Sequence, residues 1–174
     1  CLTLLLSTGA MPTITTKPIT AANWSAALEL TLHPHQRAFV PTVALSLAKA
    51  YIQPNGFCYD PYGIYLHTWR GNQVIGFYSF IHLPDDPTFA YIGGFFIDER
   101  FQGRGYGRAA LQTIVGDLRT NRPLCKALLL SVHPNNVVAT RLYEALGFVK
   151  TGQWLEGEAE MKLVVNEAEP VEAK

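Results

Sequence analysis

Two apolar stretches, residues 89–98 and 126–132, are separated by a glycine-rich segment and one amphipathic run, and this arrangement constrains the fold more than any other feature. Each stretch is apolar almost throughout, so each is expected to be a strand buried on both faces. Between them, residues 105–118 place Ala109, Leu111, Ile114, Val115 and Leu118 at helical spacing. A strand, a helix and a second strand in this order imply a right-handed crossover between parallel strands. The chain is therefore expected to be an α/β protein.

The flanking sequence adds antiparallel elements. Residues 13–17 are β-branched and read as a first strand. Residues 20–32 carry Trp24, Ala27, Leu28 and Leu32 at helical spacing, and Pro34 ends that helix. A second helix is predicted over 43–51, stopped by Pro54-Asn55-Gly56. Strands at 63–69 and 74–83 form a hairpin about Arg70-Gly71-Asn72, and Pro84-Asp85-Asp86-Pro87 forms a polar loop. A helix over 136–146 ends at Gly147, and strands over 149–155 and 159–165 are joined by Glu156-Gly157-Glu158. The expected order is β-α-α-β-β-β-α-β-α-β-β, with a mixed sheet.

At 174 residues the chain suits one domain, expected over 13–165. Residues 1–12 are expected to be a leader remnant before a start at Met11, with a processed lipoprotein beginning at Cys1 as the alternative; 166–174 is an acidic tail. Fourteen basic residues balance fourteen acidic ones, which argues against nucleic acid or an anionic membrane as the main partner. Cys1, Cys58 and Cys125 are odd in number and far apart, so neither a disulfide framework nor a metal site is expected and a cytoplasmic setting is.

The chemistry lies in Gln102-Gly103-Arg104-Gly105-Tyr106-Gly107, between buried strand and helix. Glycines there let backbone N–H groups approach a ligand, and the helix dipole favours an anion at that point. A pyrophosphate fits, with Arg104 and Arg108 as charge-assisted partners. The G-x-G-x-G spacing is neither the dinucleotide fingerprint nor a Walker loop.

This loop has the form Q-x-x-G-x-G and resembles the pyrophosphate loop of the GNAT acetyltransferase superfamily. The segment Asn135-Asn136-Val137-Val138-Ala139-Thr140-Arg141-Leu142-Tyr143-Glu144-Ala145-Leu146-Gly147-Phe148 resembles a second motif of that family, N-x-x-A-x-x-L-Y-x-x-x-G-F. Within it, Phe95-Phe96-Ile97-Asp98-Glu99-Arg100-Phe101-Gln102-Gly103 is most similar to the diamine and polyamine acetyltransferases, with Tyr62-Gly63-Ile64-Tyr65 and Val74-Ile75-Gly76-Phe77 also fitting. The resemblance implies a GNAT fold: a mixed, strongly twisted sheet of six to seven strands, about four flanking helices, and two parallel strands that splay apart.

It also implies acetyl-CoA as co-substrate and a primary amine as acceptor, attacked directly in a ternary complex. By the same resemblance, the backbone of Phe95, Phe96 and Ile97 would hold the pantetheine arm. Residues 102–108 (Gln102, Gly103, Arg104, Gly105, Tyr106, Gly107 and Arg108) would hold the pyrophosphate, with Asn136 and Ala139 beside the arm. Tyr143 would protonate the leaving thiolate; a phenol with a reference pKa of about 10 keeps its proton at neutral pH.

The base is less determined. Polyamine acetyltransferases commonly carry an acidic residue just before the Phe-Phe pair, where this chain has Gly93-Gly94. Those glycines could admit a bulkier amine or kink the strand. Glu29, His35, His82 and His133 are candidates to accept a proton through water, and Asp60, Asp85 and Asp86 to attract a cation. The acceptor-side set is thus His35, Asp60, Gly93 and Gly94. A small polyamine or diamine is the expected substrate, with a protein N-terminus, a lysine or an aminoglycoside as alternatives, and a non-catalytic acyl-CoA-binding module as a third reading. A homodimer through Trp154 and the terminal strands is expected by analogy.

Overall fold

The computed structural model describes residues 13–166. The leader expected over 1–12 and nearly all of the acidic tail lie outside the described residues. Seven strands form one mixed sheet in the order β1-β2-β3-β4-β5-β7-β6. They are β1 Thr13–Pro18, β2 Cys58–Thr68, β3 Gly71–Leu83, β4 Asp86–Ile97, β5 Ala127–Val132, β6 Val149–Leu155 and β7 Glu158–Val164. The helices are α1 Trp24–Leu28, α2 Val43–Ile52, α3 Tyr106–Asn121 and α4 Val137–Glu144. Among the described residues only β4 and β5 pair in parallel; α3 connects them, as the apolar runs predict.

Two cores lie on opposite faces of the sheet. The larger packs Ala110, Leu111, Ile114 and Leu118 of α3 and Tyr143 of α4 against Ile92, Leu128, Leu130 and Met161. The smaller packs Ala27 and Val43 against Phe77 and Phe96. The strand alternation sorts the residues: on β7, Met161 turns to the large core, and Glu158 and Glu160 turn away from it.

Several boundaries differ from the sequence reading. β3 begins at Gly71, so the hairpin turn falls before it rather than over Arg70-Gly71-Asn72, α3 runs on to Asn121, and α4 stops at Glu144. Three further differences have a visible cause. The first helix spans only Trp24–Leu28, not 20–32. Its expected last turn is captured elsewhere: the Thr31 N–H donates to the Asp98 carboxylate at 2.9 Å, and the Thr31 carbonyl accepts from Glu99 N at 3.0 Å. These bonds satisfy backbone groups that a helix would otherwise have to satisfy. Strand β2 starts at Cys58 rather than residue 63, through Pro61. The Pro61 carbonyl accepts from Ile19 N beyond the end of β1, so its missing N–H faces the side where no ladder continues. The loop expected at 84–87 contracts to a two-residue turn, because Asp86 already pairs with Leu83.

Candidate active site

The site begins with a gap in the sheet. β4 and β5 pair from Phe89↔Ala127 to Ile92↔Leu130, yet β4 runs on to Ile97 and β5 to Val132. The cause is a bulge in β4. Phe77 pairs with Phe96 and Ser79 with Gly93, so β4 carries one residue more than β3 across that interval. Gly94 has φ +60°, and a β-carbon there would come 3.3 Å from Pro41 Cγ; at Gly93 it would come 2.8 Å from Ile81 Cδ1. The left-handed backbone at Gly94 disfavours any side chain there, whereas at Gly93 only the flexible end of Ile81 would have to move.

One cavity, about 360 Å³, opens beside the gap and reaches the glycine loop. It is lined by Phe95, Phe96, Ile97, Gln102, Gly103, Gly105, Tyr106, Gly107, Arg108, Asn136 and Ala139, all anticipated from sequence. Gly103 (φ +74°) and Gly105 (φ +80°) are left-handed, and a β-carbon on either would meet no protein atom within 4 Å. Gly105 is the residue before α3, whose first turn has no side-chain cap. Its free N–H groups therefore face open space at the positive end of a 16-residue helix. These features fit a pyrophosphate.

Two polar contacts set the loop. The Gln102 amide donates to Ile97 O at 2.8 Å and exchanges hydrogen bonds with the Gln36 amide. The Asp98 carboxylate, fully buried, accepts from Arg100 N, Arg100 Nε and Thr31 N. Burial opposes its charge, but the Arg100 guanidinium and the two backbone N–H groups outweigh burial and hold its pKa below the usual value. Arg104 does not line the cavity; its guanidinium lies 5.9 Å from the Phe101 ring centre.

A second cavity, about 740 Å³, lies on the other side of the gap. Phe39, Val40, Phe95, Asn136 and Tyr143 line both, so the two spaces meet there. Tyr143 is buried at 6% exposure, its ring tilted against that of Phe148 at 5.7 Å. Burial, and secondarily the nearby charge of Glu158, push its pKa upward, so the phenol keeps its proton as a donor must. Asn136 also caps α4, its Oδ1 accepting from Ala139 N at 3.3 Å.

The second cavity holds carboxylates that the sequence reading did not single out. Glu158 lines it and accepts from the Ser131 hydroxyl; Tyr91 lines it and donates to Glu160, which also accepts from Thr151 Oγ1 at 2.9 Å. The period-two pattern Glu158, Glu160, Lys162 against Met161 and Leu163 was the available signal, because alternate residues of one strand share a face. Of the acceptor-side residues expected, Gly93 and Gly94 line this cavity. His35 lies outside it, stacked on His33 at 5.8 Å, and Asp60 is turned to His82 at 3.1 Å. His133 lines the cavity, its ring tilted against that of Phe39 at 5.2 Å. Among the described residues there is no group of three metal-binding side chains and no helix long and apolar enough to cross a membrane.

Comparison with known proteins agrees with this geometry. The family model described as "Acetyltransferase (GNAT) family" matches residues 25–148, a span holding the glycine loop, the bulge and α4. The chain is 29% identical over 145 residues to a spermine/spermidine N(1)-acetyltransferase of Bacillus subtilis, covering 80% of this chain and 90% of that one. It is 28% identical over 94 residues to the N-alpha-acetyltransferase RimI of Mycobacterium tuberculosis, covering 53% and 56%. In fold it is similar to the spermidine N-acetyltransferase of Vibrio cholerae, solved with CoA and spermine, at a TM-score of 0.66 with 17% identity, covering 87% and 95%. With the family match extending over most of the domain, the chain belongs to the GNAT acetyltransferases and is an acetyl-CoA-dependent N-acetyltransferase.

Proposed function

We propose that the chain transfers the acetyl group of acetyl-CoA to a primary amine of a small polyamine or diamine, by direct attack in a ternary complex. The observation that carries this reading is the meeting of two cavities at Tyr143, one running to the glycine loop and the other lined by Glu158 and Tyr91. Carboxylates and the aromatic faces of Tyr59, Tyr91 and Trp154 in the larger cavity suit an elongated cation. The Bacillus subtilis relative, named for spermine and spermidine, supports the same substrate class.

Acetyl-CoA supplies the activated acetyl group as a thioester. Residues 102–108 bind its pyrophosphate through backbone N–H groups, with Arg108 adding charge. The splayed part of β4 at Phe95, Phe96 and Ile97 presents backbone groups to the arm, and an N–H there meets the developing oxyanion. Tyr143 donates its proton to the departing sulfur.

Turnover of acetyl-CoA, followed by thiol release, against spermidine, spermine, diamines, N-terminal peptides and aminoglycosides tests the reading. Preferred turnover of the polyamines is expected. Preference for peptides would replace the substrate class, and CoA binding without turnover of any amine would leave a non-catalytic binding module.

A further inference from the structure

We infer that Glu158 takes the proton from the substrate ammonium, held on the acceptor side of Tyr143 by the Ser131 hydroxyl and flanked by the Tyr91–Glu160 pair. The inference rests on the reading of the chain as an amine acetyltransferase.

An alkylammonium ionises near pH 10, so only about one part in a thousand is neutral at pH 7 and some group must accept its proton. The β4 positions at the bulge cannot supply it, because Gly93 and Gly94 carry no side chain. His133 shares the cavity, but its Nδ1 accepts from Asn135 N at 3.1 Å. Its other nitrogen then carries the ring proton and has no lone pair to offer. Glu160 is buried, with Tyr91 and Thr151 hydroxyls already on its carboxylate. Two carboxylates then remain on the cavity wall: Glu156, exposed in the turn between β6 and β7, and Glu158, part-exposed at the start of β7 and held by the Ser131 hydroxyl on Oε2. The held one is the better placed acceptor, and its charge also acts on Tyr143.

Other titratable groups around the cavity are Tyr143, Tyr91, Tyr59, Lys49, His133 and Glu156, with Glu160 behind Tyr91. Lys49 is exposed on α2 and is the one lysine among them. The buried Glu160 adds negative potential without competing for the proton, because the Tyr91 hydroxyl stands between it and the cavity.

The proton count closes. The ammonium gives one proton to Glu158, and the freed nitrogen pair forms the C–N bond while the carbonyl π pair moves to oxygen. Collapse re-forms the carbonyl and breaks C–S, with that pair going to sulfur. Tyr143 protonates the sulfur, and the second nitrogen proton returns to the Tyr143 oxygen. The net proton leaves from Glu158 to water.

The test compares kcat/KM for spermidine between pH 6.5 and 9.5 in wild type and Glu158→Gln, with CoA affinity measured by calorimetry. A flat wild-type profile is expected. The Gln variant should be about 10²-fold slower at pH 7 and rise about tenfold per pH unit, as solution supplies the neutral amine, with CoA affinity unchanged. A Gln variant of wild-type rate, or with a flat profile, overturns the assignment. Should the Gln variant lose CoA binding and hence its fold, Glu158→Asp carries the test: a flat profile at reduced kcat supports the assignment and a rising one overturns it. Wild-type failure on every amine would overturn the amine-acetyltransferase reading itself, and this assignment with it.

Discussion

The side-chain amides of Gln36 and Gln102 exchange two hydrogen bonds, at 3.0 and 2.9 Å, and so tie the segment before α2 to the glycine loop. Gln102 also holds the Ile97 carbonyl at the end of β4, so one amide braces the loop from two directions. A net hydrogen bond contributes about 0.5–1.5 kcal/mol. Gln36→Ala is therefore expected to weaken CoA binding several-fold, and Gln102→Ala to weaken it further. In a double-mutant cycle by calorimetry the two losses should not add, since both remove the same pair.

Tyr143→Phe is expected to lower kcat by about 10²–10³-fold with CoA affinity unchanged. The same change removes one hydroxyl and leaves the ring's packing in place, so it should alter stability by no more than about 1.5 kcal/mol in urea denaturation. The raised pKa gives a pH expectation as well. Ionisation of this phenol would remove the donor, and its shift lies above the ordinary value near 10, so Tyr143 should cause no fall in activity up to pH 10.

At Gly105 two substitutions separate strain from occlusion. Gly105→Ala forces a β-carbon into a φ of +80° and should cost about 1–2 kcal/mol of stability. Its methyl meets no protein atom within 4 Å, so any loss of CoA affinity reports on ligand in that space. Gly105→Asp should abolish CoA binding through repulsion of the phosphates. Normal affinity in the Asp variant would refute the assignment of the pyrophosphate to this loop.

Asp98 predicts an acid sensitivity. Its folded pKa is lower than its unfolded value, so its contribution is present above about pH 4 and is lost as pH falls through the folded pKa. Asp98→Asn should destabilise the protein by about 2–3 kcal/mol at pH 7. The gap between variant and wild type should narrow below pH 4 in urea titrations, and a gap that persists there would argue against the charged form as its source.

The unit from β4 through α3 to β5 was legible in the sequence because each segment carries a strong period and each boundary is marked by glycine. The same holds for α4, whose cap at Asn136 and stop at Gly147 both stand in the chain. What escaped was decided at a distance. No local pattern in residues 29–32 reports that Asp98 will take the Thr31 N–H and cut the first helix short. Glu158 read as a turn residue, since its role depends on Ser131 across the ladder and Tyr143 beyond the gap. Gly93 and Gly94 read as a missing acid; the left-handed φ of +60° at Gly94 belongs to the bulge, which is set by the register against β3 and arises only on folding.

The bulge at Gly94 makes β4 a strand that changes parity. Ala90 and Ile92 face the large core before it, and Ile97 faces that same core after it, while Phe96 faces the small one. Even positions lead on one side of the glycine and odd positions on the other. Deleting Gly94 would restore plain alternation with Phe95 and Ile97 still on the large core and Phe96 on the small one, so it would remove the bulge, and with it the gap beside β5, while leaving the composition of the cleft almost intact. The reactive geometry is thus written in a count of residues, and a one-residue deletion in this strand should be more damaging to acetyl transfer than most substitutions along it.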